Sequence, residues 1–259
     1  MNKEATAMDL SLFSLEGKAA LVTGVSRGLG QAMAVALAGA GADIIGVGPR
    51  GMGDTKAQVE ALGRRTYEIK ADLGDRAAVP AVAAEAIAAF GHVDILVNNA
   101  GIIRLSPAED HSMEDFDAVM EVNLRSLFLL TREIGKQMIA LGGGKIINTC
   151  SVQSWKGGSG DAAYVASKHA VAGLTHALAN EWGKYGIQTN GIAPGYMVTD
   201  NTGNLRKQKE AVASITAQIP LGRWGVPEDL MGPVIFLASH ASDYVNGHLL
   251  TVDGGYMNY

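Results

Sequence analysis

Lys18-Ala19-Ala20-Leu21-Val22 is followed by Thr23-Gly24-Val25-Ser26-Arg27-Gly28-Leu29-Gly30 and then by Gln31-Ala32-Met33-Ala34-Val35-Ala36-Leu37-Ala38. These stretches read as a buried strand, a glycine-rich turn and an alanine-rich helix. In that order they suit a dinucleotide: glycines let the backbone approach closely, and the helix N-terminus attracts pyrophosphate. The spacing is Gly-x3-Gly-x-Gly rather than the commoner Gly-x-Gly-x2-Gly.

Outward from this turn, short apolar runs alternate with helical stretches. Strands are expected at Ala19–Thr23, Asp43–Val47, Thr66–Lys70, Asp94–Val97, Lys145–Thr149, Gln188–Ile192 and His248–Val252. Helices are expected near Leu29–Ala40, Asp54–Leu62, Arg76–Phe90, Met113–Leu141, Ala162–Tyr185 and Pro227–Ser239. Alternation of this kind implies parallel pairing through right-handed crossovers, hence an α/β doubly wound sheet with helices on both faces. Ligands of such sheets bind beyond the carboxyl ends of the strands. Gly24, Asn99, Ser151 and Pro194 all follow expected strands, so they converge on one rim.

Tyr164 and Lys168, within Ala162-Ala163-Tyr164-Val165-Ala166-Ser167-Lys168, supply chemistry for that rim. Positions i and i+4 share a helix face, which sets the ammonium beside the phenol. A free phenol titrates near pH ~10 and is a poor acid or base at neutral pH. The adjacent cation is expected to favour phenolate and bring Tyr164 toward the working range. Ser151 could hold a carbonyl or alkoxide oxygen, and Asn123 lies further upstream. The set suits moving a proton on and off a secondary alcohol.

The chain has 259 residues, of which 47% are hydrophobic and 18% charged, with a net charge of −5. Without a linker, repeat or composition break, it reads as a single domain spanning 1–259. Its one cysteine, Cys150, reads as a small core residue, and its lack of a partner fits a reducing cytoplasm. Residues 1–11 read as a flexible N-terminal extension without a signal-peptide core. No apolar run is long enough for a membrane span, and no basic stripe favours nucleic acid. Arg206-Lys207-Gln208-Lys209 reads as a solvated helix face, and no metal site is assigned.

Together these residues resemble the short-chain dehydrogenase/reductase family, in its shorter single-domain branch. The resemblance runs from about Leu15 to Gly255, through Thr23-Gly24-x3-Gly28-x-Gly30, Asn98-Asn99-Ala100-Gly101, Asn123, Ser151, Tyr164-x3-Lys168, Pro194-Gly195-x3-Thr199 and Val252-Asp253-Gly254-Gly255. It implies a Rossmann-type, mainly parallel seven-stranded sheet. It makes Tyr164 the general acid/base, Ser151 the residue that orients the substrate oxygen, and Asn123 the holder of a relay water. Lys168 would hold the nicotinamide ribose and lower the Tyr164 pKa. Gly24, Ser26, Arg27, Gly28, Leu29 and Gly30 would meet the pyrophosphate. Asp72 and Leu73 would meet the adenine, and Asn99, Ala100 and Gly101 the ribose. Pro194, Gly195 and Thr199 would reach the nicotinamide end. Homotetrameric assembly is likewise implied.

Within the family the chain is most similar to sugar-acid dehydrogenases acting on 2-keto-3-deoxygluconate. The features that carry this are Phe13-Ser14-Leu15-Glu16-Gly17-Lys18, Asn180-Glu181-Trp182, Ala193-Pro194-Gly195-Tyr196-Met197, Leu221-Gly222-Arg223-Trp224-Gly225 and Ser242-Asp243-Tyr244-Val245-Asn246-Gly247. A sugar acid needs a cation for its carboxylate, which makes Arg104 the first candidate. Arg206, in a substrate-covering segment at about 196–220, is the second, with Gln153, Trp155 and Tyr196 as candidate pocket walls. The second strand ends Gly46-Val47-Gly48-Pro49-Arg50, without the acidic residue that binds the ribose 2′-hydroxyl of NAD. Arg27 and Arg50 could instead meet the 2′-phosphate of NADP, while the sugar-acid resemblance pulls toward NAD, to which the reading leans. A 3-oxoacyl-carrier-protein reductase and a gluconate 5-dehydrogenase-like reductase are the alternatives. The former needs a basic patch for its acidic carrier, which this composition does not offer. A nucleotide-binding regulator without catalysis would show a broken tetrad, and here all four residues are present.

Overall fold

Ala19–Thr23 forms β1 with every residue buried, as a strand covered on both faces requires. The computed structural model describes residues 10–258. Seven strands form one sheet in the order β3-β2-β1-β4-β5-β6-β7: Ala19–Thr23, Asp43–Gly48, Thr66–Lys70, Ile95–Asn98, Gly144–Thr149, Ile187–Pro194 and Leu249–Val252 in chain order. Every pairing is parallel. The α-helices, α1 to α9 in chain order, are Gly28–Gly39, Asp54–Ala61, Val79–Phe90, Met113–Met120, Leu127–Leu141, Ala162–Trp182, Gly203–Arg206, Lys209–Ala217 and Met231–Ala238. Among the described residues no helix is long and apolar enough to cross a membrane.

Successive strand residues feed opposite faces of the sheet, the period that β structure imposes. Val22, Ile44, Val97 and Ile147 pack with Met33, Leu37, Val234 and Leu237 beneath α1 and α9. Leu21, Ile45, Leu96 and Ile146 pack with Leu130, Ile134, Met138 and Trp182 beneath α5 and α6. Each such side chain contributes roughly 1.5–3 kcal/mol of burial free energy. The strand order reverses between β1 and β4. There the Thr23 hydroxyl accepts from the amides of Asn99 and Ala100, each at 3.0 Å. Asn99 in turn donates to the Thr23 carbonyl at 2.9 Å.

The expected helix Met113–Leu141 is broken by a π-helical turn at Glu121–Ser126. An inserted residue of this kind rotates one side chain out of the helical register. Asn123 is turned into the interior, where it donates to Ile102 O at 2.9 Å and Ser167 Oγ at 3.1 Å. The expected helices at Arg76–Phe90, Ala162–Tyr185 and Pro227–Ser239 have 3-10 turns at one end. The basic cluster Arg206–Lys209 falls at the junction of α7 and α8, and α8 was not expected from the sequence. Of the N-terminal extension at 1–11, only Leu10 and Ser11 lie among the described residues, at the start of a 3-10 turn.

A buried polar ladder ties the middle of the sheet to the helices behind it. Asn98 and Asn148 face each other across β4 and β5, and Asn98 Nδ2 donates to Thr131 Oγ1 and Asn148 Oδ1. Asn148 Nδ2 donates to Thr175 Oγ1 at 2.9 Å, and that hydroxyl donates to Val171 O. Asn148→Ala leaves the buried Asn98 short of an acceptor. Urea unfolding is expected to show a loss of about 2–3 kcal/mol, and a loss under about 0.5 kcal/mol would contradict this account of the ladder.

Candidate active site

Thr23 ends β1, and the chain turns through Gly24 at φ 66° and Gly28 at φ 58°, both in the left-handed region that glycine tolerates. Helix α1 then starts without a side-chain cap and without an acidic residue in its first turn. Its first amides are therefore available to an anion. Gly30 is a closer constraint still: a Cβ there would collide with the Gly24 carbonyl oxygen and the Asn99 side chain. These features make a cradle that a dinucleotide fits.

The cradle opens into a cleft of about 450 Å³ at the carboxyl ends of the strands. It is lined by Gly24, Ser26, Arg27, Gly28, Leu29, Gly30, Asp72, Leu73, Asn99, Ala100, Gly101, Thr199, Tyr164 and Lys168. Pro194 and Gly195, expected at the nicotinamide end, are not among the lining residues. Pro194 is the buried last residue of β6, and Gly195 packs against Asp253. Asp72 accepts from Gly74 N at 2.8 Å, so it both caps its turn and borders the cleft. The lining also includes Arg50, Thr149, Val198, Asp200 and Asn201. Of these, only Arg50 had a signal in the sequence.

Thr149 ends β5 and Ala162 starts α6, and several hydrogen bonds hold the two together. Lys168 is 4% exposed. Its Nζ donates to Thr149 O at 2.6 Å and lies 5.5 Å from the centre of the Tyr164 ring. Ser154 Oγ donates to Lys168 O at 2.9 Å and accepts from Ser151 N at 3.3 Å. The Ser151 side chain lies near enough to the Tyr164 hydroxyl to favour its ionised form. Asn123 lies behind this group, linked through Ser167, whose hydroxyl donates to Tyr164 O.

The electrostatics correct one expectation. Burial pushes the Tyr164 phenol up to about 12, Asp161 and Cys150 push the same way, and only the Ser151 side chain opposes them. Burial likewise pulls Lys168 down to about 8, against a raising contribution from Cys150. Loss of water dominates, and the neighbouring cation does not offset it. Cys150 is a buried core residue, as expected, with its thiol pushed up to about 11 by burial.

A family model described as enoyl-(acyl carrier protein) reductase matches residues 24–257. The chain is 52% identical over 251 residues to the 2-dehydro-3-deoxy-D-gluconate 5-dehydrogenase of Escherichia coli K12, covering 96% of this chain and 99% of that one. It belongs to the short-chain dehydrogenase/reductase family. The enzyme of the same name from Bacillus subtilis 168 is 51% identical over 247 residues, covering 95% and 97% of the two chains. Among solved structures, a gluconate 5-dehydrogenase from Burkholderia cenocepacia J2315, in complex with NADP and tartrate, superposes with a TM-score of 0.91 at 41% identity. That match covers 96% of this chain and 98% of that one. This short-chain dehydrogenase/reductase is accordingly an NAD(P)-dependent oxidoreductase acting on CH–OH groups.

The five residues expected around the substrate do not line the cleft. Arg104 pairs with Asp115 at 3.2 Å, and Arg206 donates to Thr199 O at 3.0 Å. Gln153 donates to Asp161 Oδ2 at 2.5 Å. Trp155 is 45% exposed. Tyr196 packs 5.3 Å from both Trp224 and Tyr256, with its phenol pushed up to about 12, first by burial. Arg27 pairs with Asp200 at 2.7 Å across the cleft mouth. Sequence reasoning missed Asp161, Asp200 and Tyr256, whose relevance lies in tertiary contacts alone. Gly30→Ala is expected to weaken nucleotide binding at least about tenfold, or about 1.4 kcal/mol, in a fluorescence titration. Affinity within about twofold of the native chain would contradict the cradle.

Proposed function

We propose that this oxidoreductase interconverts a secondary alcohol and a ketone on a sugar acid such as 2-keto-3-deoxygluconate. The observation that carries the reading is the 52% identity, along nearly both whole chains, to an enzyme named for that substrate. The Ser151, Tyr164 and Lys168 cluster beside the cleft supports it from geometry.

The bound nicotinamide supplies or accepts the hydride. In the reducing direction Tyr164 gives its hydroxyl proton to the ketone oxygen, and in the oxidising direction its phenolate takes the alcohol proton. Ser151, beside Tyr164, holds the same substrate oxygen. Lys168 carries positive charge next to the phenol, and Thr149 O keeps that ammonium in place. Asn123, through the Ile102 backbone and Ser167, anchors the π-helical turn behind the helix that bears Tyr164. The raised Tyr164 phenol favours the proton-donating form at neutral pH, so oxidation is expected to gain rate toward alkaline pH.

For the nucleotide, Arg50 directly follows β2, borders the cleft and has no ion-pair partner among the described residues. The nearby Glu68 carboxylate is engaged by Met52 N at 2.6 Å. A cation without an opposing carboxylate supports a 2′-phosphate there, so the reading favours NADP(H), where the sequence alone leaned to NAD. Homotetrameric assembly belongs to the same reading, supported by the exposed Phe128 on α5.

The test is absorbance of the reduced nicotinamide with NADP(H) or NAD(H), offering 2-keto-3-deoxygluconate, gluconate and an acetoacetyl thioester. Turnover of the keto-deoxy acid, faster with the phosphorylated nucleotide and lost in Tyr164→Phe, is expected. Turnover of the thioester alone would move the chain to the carrier-protein reductases. Activity within tenfold of native in Tyr164→Phe would remove that residue from proton transfer.

A further inference from the structure

Asp161 directly precedes α6, three residues before Tyr164, where an aspartate ordinarily accepts from the first helical amides. Here it makes no capping hydrogen bond. Its residue is 6% exposed, Gln153 Nε2 donates to Oδ2 at 2.5 Å, and Oδ1 has no hydrogen-bond partner. No Lys, Arg or His lies within ion-pair distance among the described residues. A buried carboxylate with one neutral donor is costly, and a protein that only needed a helix start would not require it. Gly158 makes the arrangement possible, because a Cβ there would strike both the Asp161 carboxylate and the Gln153 amide.

The clasp joins the two segments that carry the reacting groups. Gln153 lies in the 3-10 turn whose first cap is Ser151, and the Ser151 hydroxyl accepts from Gln153 N at 3.1 Å. Asp161 leads into the helical turn that bears Tyr164. We propose that Asp161, clasped by Gln153, is a positioning residue that locks the Ser151 turn onto the start of α6 and holds a carboxylate three residues before Tyr164. This rests on Tyr164 as the proton carrier of the proposed function. It assigns Gln153 to the clasp rather than to the substrate.

The other charged and titratable neighbours leave Asp161 as the negative group closest to this role. Lys168 faces the Tyr164 ring from the same helix, and Ser151 and Cys150 face it from the end of β5. Tyr196, stacked on Tyr256, also feels the Asp161 charge, and Lys156 sits over the Tyr256 ring. On α4 and the π-helical turn, Asp115 is engaged by Arg104, and Glu121 by Arg76 and Arg125. A negative charge held near a phenol opposes its ionisation, in line with the upward pressure that Asp161 exerts on Tyr164.

Asp161→Asn keeps an acceptor for Gln153 and removes the charge. The intact chain, labelled with carbon-13 at the tyrosine Cζ, reports Tyr164 ionisation directly, with the resonance assigned by its loss in Tyr164→Phe. The midpoint is expected to fall by about one pH unit in Asp161→Asn, and alcohol oxidation at about pH 8 to rise correspondingly, by up to about tenfold. A merely structural role for Asp161 would leave the Tyr164 midpoint in place, and an unchanged midpoint in the folded variant overturns the proposal. If the asparagine variant does not fold, Asp161→Ser carries the same measurement with the same two outcomes. The resonance needs no substrate, so failure of every sugar acid to turn over would refute the substrate reading and leave this result standing.

Discussion

The hydrogen bond from Lys168 Nζ to Thr149 O, 2.6 Å long and almost wholly buried, is the contact on which the site depends. An ammonium taken out of water costs several kcal/mol unless it is well partnered, and here the chain offers it a neutral carbonyl, Thr149 O. Its lowered pKa of about 8 records that cost. The bond fixes α6 to the end of β5, so that Ser151 and Tyr164, on separate segments, meet. Ser154 repeats the link one step away by joining Ser151 N to Lys168 O. The cost is understandable if the positive charge is needed at the phenol when a proton leaves it.

The sheet makes that arrangement possible by bringing distant parts of the chain to one rim. Alternating core residues such as Leu21 and Val22 fix β1 between two hydrophobic layers, and the Thr23 hydroxyl then stitches β1 to the turn after β4. The cradle for the dinucleotide and the cluster for proton transfer are thus built on opposite sides of the point where strand order reverses, as doubly wound folds generally arrange their ligands. The loop after β6 closes the third side, with Asp200 reaching Arg27 in the glycine turn.

Much of this was legible because it is written in local patterns. The expected strands at Ala19–Thr23 and Thr66–Lys70 coincide with observed ones, and the remaining strands differ only at their ends. The glycine turn and the Tyr164-to-Lys168 spacing were legible for the same reason: backbone approach and helix-face sharing depend on neighbours in sequence. The π-helical turn at Glu121–Ser126 was not, since helical periodicity continues on either side of it. Helix α8 has no buried residue, so no apolar stripe announced it. The Gln153–Asp161 clasp and the pairing of Arg104 with Asp115 arise only when separate segments meet. Tyr164 shows the same limit in energetic form: spacing reveals the neighbouring cation, but burial sets the sign of the shift.

Lys168→Met tests most directly whether the fold sustains a costly buried charge for the sake of this chemistry. Because the folded lysine titrates near 8 and the unfolded one near 10.5, the native state loses its proton first as pH rises. The unfolded state therefore binds more protons between those values, and native stability recovers across that window. The account predicts that the methionine variant unfolds at a higher temperature at neutral pH, that this gain shrinks between about pH 8 and 10.5, and that turnover is lost. A variant less stable at neutral pH, or one that keeps native turnover, would contradict it.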